Sequence, residues 1–137
     1  MFDEVDMKII KILQNNSRIQ LQEVGNMVRL TGQAVRNRIN RLEKLGVIEG
    51  YTIKTNMAKL GLGLTAYVTV YMEANNHAAF HKYVRDNTVI TEAHRVSGEG
   101  CYSLKLEVAS HGMLEALLEG ILQFGNYEVN LSISRIK

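Results

Sequence analysis

The chain has 137 residues, 46% of them hydrophobic and 22% charged, enough for one ordinary domain or two small ones with a packed interior. No apolar run approaches the roughly 18 residues that span a bilayer, the opening MFDEVDMKII is acidic where a secretory leader would be basic, and the single Cys101 excludes an internal disulfide, so a cytoplasmic protein is expected. The net charge of +2 is modest but uneven: Lys and Arg outnumber Asp and Glu by 8 to 6 over residues 1–53 and equal them, 8 to 8, over residues 54–137.

Val5, Ile9, Ile12 and Leu13 repeat with helical spacing, which predicts a first helix capped by Asp3, with Glu4 and Asp6 suiting its first turn and Asn15, Asn16 and Ser17 ending it. A short second helix carries Leu21, Val24 and Val28. Gln20 is a poor cap for it, and Gly25 within it costs up to about 1 kcal/mol relative to alanine, so a loose helix is expected. The third helix carries Val35, Ile39 and Leu42, with Thr31 as N-cap and Gly46 just past its end. Val47 to Ile53, broken by Gly50, reads as a small β-hairpin.

The second helix, the turn VRLTG and the third helix form a helix-turn-helix candidate. At 100° per residue, Val35, Ile39 and Leu42 mark the buried face of the third helix, and Gln33, Asn37, Asn40 and Lys44 project opposite, with Arg36 and Arg41 on the flanks. Gln and Asn pair with adenine edges, Arg with guanine edges, and all of them with phosphates. Around this helix Arg29, Arg36, Arg38, Arg41 and Lys44 face one acid, Glu43, a local bias that suits a polyanion. Arg38 falls closer to the buried stripe and is expected to pair with an acid or run along the core as much as to read DNA.

TNMAKLGLGL, residues 55–64, reads as a linker, and the pattern then shifts to period two. Residues 64–73 predict a strand, 77–87 a helix, 89–96 a second strand and 101–109 a third; Ser110 caps a helix bearing Leu114, Leu117, Leu118 and Ile121, and Tyr127, Val129, Leu131 and Ile133 give a last strand. The order β-α-β-β-α-β is the ferredoxin-like arrangement, an antiparallel four-stranded sheet with both helices on one face. The fold class is therefore α+β, with a helical domain at 1–53, a hinge at 54–64 and a ferredoxin-like domain at 65–137. Tyr67, Thr69 and Tyr71 would stand on the helix-free face, so dimerisation through this domain is expected.

Little enzymatic chemistry is visible, and no cofactor motif is present. His77 and His81, spaced i, i+4, could chelate a metal, but no third ligand is placed by sequence, so no metal site is expected. His94 and Cys101 could approach across a hairpin, without a third group to orient them. The rival to a DNA-binding regulator is a ligand-binding or enzymatic ferredoxin-like protein with an incidental helical N-terminus.

VDMKIIKILQNNSR (5–18), LQEVGNMVRLTGQAVRNRINRLEKLGVIEGY (21–51) and RVSGEGCYSLKLEV (95–108) together resemble the Lrp/AsnC family, the leucine-responsive and asparagine-regulator transcription factors. The resemblance implies a winged helix-turn-helix followed by a ferredoxin-like, RAM-type ligand-sensing domain. It also implies dimers that assemble further, often to octamers, on double-stranded DNA in the nucleoid, and an amino-acid-like effector. It carries DNA-binding roles to Thr31, Gln33, Ala34, Arg36, Asn37, Arg38 and Arg41, and effector-loop roles to Gly98, Glu99, Gly100, Cys101 and Tyr102. The loop departs from the family's G-x-x-D-Y: Cys101 stands where an aspartate could hold an ammonium group, which leaves Glu99 to replace it, a different ligand, or none. Read from residues alone, SGEG fits a plain hairpin turn equally well.

Overall fold

The structure, a computed structural model, describes residues 2–72, 75–98 and 101–137. The chain divides into two compact units, Met1–Lys54 and Thr55–Lys137.

The first unit is three helices, α1 (Glu4–Asn15), α2 (Leu21–Val28) and α3 (Gly32–Lys44). Asp3 caps α1 in a reciprocal box: its carboxylate accepts from the Asp6 amide at 2.9 Å while the Asp6 carboxylate accepts from the Asp3 amide at 2.9 Å. Ile9, Val24, Val35 and Ile39 form the buried centre, with Val5, Ile12, Leu13, Leu21, Val28 and Ile48 packed around it. The stripes read from sequence are thus the packed faces.

The turn between α2 and α3 is tighter than the sequence indicates. Arg29 ends α2 in the left-handed region, φ 59°, and the Leu30 amide donates to the Gly25 carbonyl at 2.8 Å. A Cβ on Gly25 would lie 2.3 Å from the Leu30 carbonyl oxygen. Gly25 is therefore the residue that lets the turn close against α2, where local propensity alone reads only a weak spot. Gln20 caps α2 with no side-chain hydrogen bond, as expected.

At the far end of α3, Gly46 adopts φ +72°. Its amide donates to the Glu43 carbonyl at 3.0 Å and the Val47 amide to the Leu42 carbonyl at 2.9 Å, the paired bonds of a Schellman cap. The expected hairpin over 47–53 does not form; this segment carries no strand. It has seven residues and no left-handed turn at Gly50, and two such short arms are marginal without further strands to pair with.

The second unit is the ferredoxin-like order: β1 (Leu64–Tyr71), α4 (His77–Asp86), β2 (Ile90–Arg95), β3 (Tyr102–Val108), α5 (His111–Leu122) and β4 (Asn126–Leu131). The sheet order is β2-β3-β1-β4, all antiparallel. Ala66, Val68 and Val70 of β1, Met72 just past it, and Tyr102, Leu104, Leu106 and Val108 of β3 form one buried cluster with Phe80, Leu114, Leu117, Leu118 and Ile121 of the helices. On the other face Tyr67 stays exposed, between Lys105 and Asn130 on the neighbouring strands. Residues 55–63 hold a short 3₁₀ turn, Ala58–Leu60, closed by Gly61.

Gly25→Ala is expected to destabilise the first unit by about 1–2 kcal/mol. Helix propensity returns up to about 1 kcal/mol, while forcing the turn away from the new methyl costs roughly 1–3 kcal/mol. Urea unfolding monitored by circular dichroism reads the difference; an unchanged midpoint would remove the Leu30 contact from this account.

Candidate nucleic-acid interface and ligand loop

The Thr31 hydroxyl accepts the Ala34 amide at 3.1 Å, so the first turn of α3 is fixed by its own cap. Val35, Ile39 and Leu42 are buried, and Gln33, Arg36, Asn37 and Asn40 on the other side are exposed. Gln33 Nε2 donates to Asn37 Oδ1 at 3.1 Å, holding two amides side by side on the exposed face. The Tyr51 hydroxyl donates to Glu43 at 2.7 Å and ties the segment after α3 back onto that helix. Loss of water around the phenol and this carboxylate contact push Tyr51 up to about 12.

Asp6 fastens α3 to α1. It is a fully buried acid, and both its oxygens face arginines of α3: Oδ1 accepts from Arg38 at 2.9 Å and Oδ2 from Arg41. Arg38 also bridges Asp3 at 2.9 Å. Arg38 thus pairs with acids as its position near the core stripe implies. Arg41 differs from the sequence expectation of an outward flank: its guanidinium is turned onto Asp6. The helical wheel set its direction on α3 but could not show an acid 35 residues earlier across the interface.

The electrostatics follow from this geometry. Asp3 is held down to about 2, first by the Asp6 amide and then by Arg38. For Asp6, burial pushes the carboxyl upward, but the Asp3 amide, Arg38 and Arg41 together draw it below the usual carboxylate range. The same acids raise Arg38.

In the second unit, Glu99 and Gly100 of the expected effector loop lie outside the described residues. Gly98 takes φ +99°. The Cys101 amide donates to the Val70 carbonyl at 2.9 Å and its thiol to the Met72 carbonyl at 3.2 Å, so the loop's end is pinned to β1. His94 pairs with Glu92 at 2.7 Å; with the thiol on Met72, no thiol–imidazole pair forms. Tyr102 is buried, and its hydroxyl lies 2.6 Å from His77 Nδ1 and 2.8 Å from His81 Nε2. Sequence displays the i, i+4 spacing of these histidines but not that both turn to a tyrosine on β3. Among the described residues no group of three His, Cys, Asp or Glu could hold a metal, and no helix is long and apolar enough to cross a membrane.

The AsnC-type helix-turn-helix domain model matches residues 2–43, and the Lrp/AsnC ligand binding domain model matches residues 65–137. The chain is 42% identical to the HTH-type transcriptional regulator LrpB of Bacillus subtilis (strain 168), over 98% of this chain and 91% of that protein. It is 34% identical to LrpA of the same organism, over 98% of this chain and 100% of the relative. The solved structure of B. subtilis LrpC superposes with a TM-score of 0.95 at 26% identity, covering 100% of this chain and 98% of the other. A transcriptional regulator from Neisseria meningitidis, solved as an L-Met complex, shares the fold with a TM-score of 0.93 at 22% identity, covering 100% and 93%.

Because Asp3 and Asp6 titrate below their unfolded values near 3.9, they stabilise the fold above that range, and the contribution is lost as pH falls through the folded values. Acid unfolding is expected to steepen from about pH 4 down toward about 2. Asp6→Asn should flatten this slope and cost about 2 kcal/mol at neutral pH, less than the roughly 3–5 kcal/mol of a fully buried pair because both guanidiniums reach water. Circular dichroism across a pH series tests both; a slope unchanged in the variant would remove Asp6 as its source.

Proposed function

We propose, for a chain that belongs to the Lrp/AsnC family of transcription regulators, that α3 reads DNA through Gln33, Arg36 and Asn37. One observation carries this: α3 is fixed on its inner side by Val35, Ile39 and Leu42 and by the Asp6 clamp, and the exposed side of its first turns presents two adjoining amides and a guanidinium. Amides match adenine edges and Arg matches guanine O6 and N7 in the major groove. Thr31 and the capped N-terminus of α3 sit where a phosphate is held, and the Ala34 methyl suits a thymine methyl. Arg38 and Arg41 act as positioning residues that set the helix on α1.

Residues 1–53 form the DNA-binding domain, 54–64 the hinge and 65–137 the sensing and assembly domain. Two chains place two copies of α3 one helical turn of DNA apart, about 34 Å, so the operator is roughly palindromic; dimers associate further on the same DNA. The regulator acts on the chromosome, in the cytoplasm, without catalytic chemistry. Its effector is an amino acid or a close relative, taken by the loop from Gly98 to Tyr102. Gly98 and Gly100 allow amides to turn toward a carboxylate, and Glu99 meets the ammonium group that Cys101 cannot.

Arg36→Ala should weaken binding to the DNA upstream of the protein's own gene and reduce the salt slope by about one. Fluorescence anisotropy at several salt concentrations measures both, and unchanged affinity and slope would reject this reading face. For the effector, a thermal-shift screen of the common amino acids should give a stabilising ligand whose effect is lost in Glu99→Gln; a ligand indifferent to that change would place the site elsewhere.

A further inference from the structure

We propose that His77, His81 and Tyr102 form a site for a divalent late first-row metal ion, of the Zn²⁺ or Ni²⁺ type, that clamps α4 to β3. The sequence supplies a pair of histidines on one helix face and lacks a third donor. The fold supplies it: the Tyr102 hydroxyl, buried at the start of β3, stands between the two imidazoles at 2.6 and 2.8 Å. His77 turns its Nδ1 inward and His81 its Nε2, so two ring nitrogens from successive turns converge on one oxygen.

Imidazole suits zinc, nickel and copper, and a deprotonated phenol adds an anionic oxygen beside the two ring nitrogens. The histidines are half-exposed, which gives an ion access from solvent. Among the described residues no Lys, Arg, Asp or Glu side chain is hydrogen-bonded or ion-paired to the three groups in competition with the ion. The phenol's root is held: its ring packs at a tilt against Phe80 at a centroid distance of 4.6 Å, and the preceding Cys101 is bonded to β1 through its amide.

The ion-free site is closed by hydrogen bonds and must open slightly. Metal bonds of about 2.1 Å at the tetrahedral angle set donor atoms about 3.4 Å apart, so each imidazole withdraws from the phenol by somewhat less than about 1 Å. The hydroxyl proton leaves to solvent as the oxygen joins the ion, and water completes the coordination. The site lies immediately after the loop given above to the effector, but metal binding does not depend on that assignment.

Calorimetric titration of the untagged, full-length protein with Zn²⁺ tests it. One ion per chain is expected, with an ultraviolet difference signal of a deprotonated tyrosine. His77→Ala and His81→Gln should each reduce affinity by at least the roughly 10- to 100-fold that loss of even an outer-shell partner costs. Tyr102→Phe, which keeps the ring on Phe80, should reduce it too and abolish the ultraviolet signal. His94→Ala should leave binding intact, since His94 is paired with Glu92 on β2 and contributes no donor to the site. No binding by the parent protein, full affinity in His77→Ala or Tyr102→Phe, or loss in His94→Ala alone would overturn the proposal. Circular dichroism of each variant confirms that a lost signal is not a lost fold.

Discussion

The Asp6 carboxylate is the interaction on which the DNA-binding unit turns. A carboxylate removed from water needs strong partners for every oxygen, and here one oxygen takes the Asp3 amide and Arg41 while the other takes Arg38. The acid and the arginines come from opposite ends of the three-helix sequence, so the ion cluster fixes the rotation of α3 about its own axis. Apolar packing alone is tolerant of rotation, because Val35, Ile39 and Leu42 could slide over the neighbours by part of a residue. Directional, charge-assisted bonds from two successive turns of α3 are less forgiving. Rotation of the helix decides which side chains face outward, so the buried acid governs the composition of the outward face without belonging to it.

The same cluster corrects the charge reading. Counted along the chain, five cations around α3 face one nearby acid; in space, Asp3 and Asp6 reach back to two of them. What the DNA would meet is a face with Arg36, framed by Arg29 and Lys44, none of which has an ion pair among the described residues. A linear charge count therefore overstates the electropositive surface, and the amides Gln33 and Asn37 carry a larger share of the exposed recognition side.

Local signals were legible and distant ones were not. The apolar stripes, the Thr31 and Ser110 caps and the left-handed Gly46 depend on residues within one turn of each other, and the βαββαβ order follows from a change of period. Arg41 on Asp6, and His77 and His81 on Tyr102, join residues 21 to 35 positions apart, beyond what spacing on one element can reveal. Gly25 is half legible for a related reason: its propensity cost is local, but its purpose is the approach of Leu30. The last strand stops at Leu131, short of Ile133: its pairing with β1 ends at Ala66, and the Ser132 amide donates a final bond to the Thr65 carbonyl. Ile133 is left fully exposed; the alternation in the sequence runs on past the last paired residue.

Few unpaired cations on each reading head have a consequence for how such a protein would hold DNA. Each phosphate neutralised contributes a slope of about −0.9 in log affinity against log salt, so Arg29, Arg36 and Lys44 alone, the cations around α3 without an ion pair among the described residues, give a single head a modest salt-dependent term. On the proposed pairing of chains, tight and selective binding comes from joining heads, where the second contact is made at high effective concentration. On that proposal the ferredoxin-like domain is part of the recognition machinery. A ligand that altered how the ferredoxin-like domains pair would change DNA affinity steeply while touching no residue of α3, because it would change the number of heads acting together.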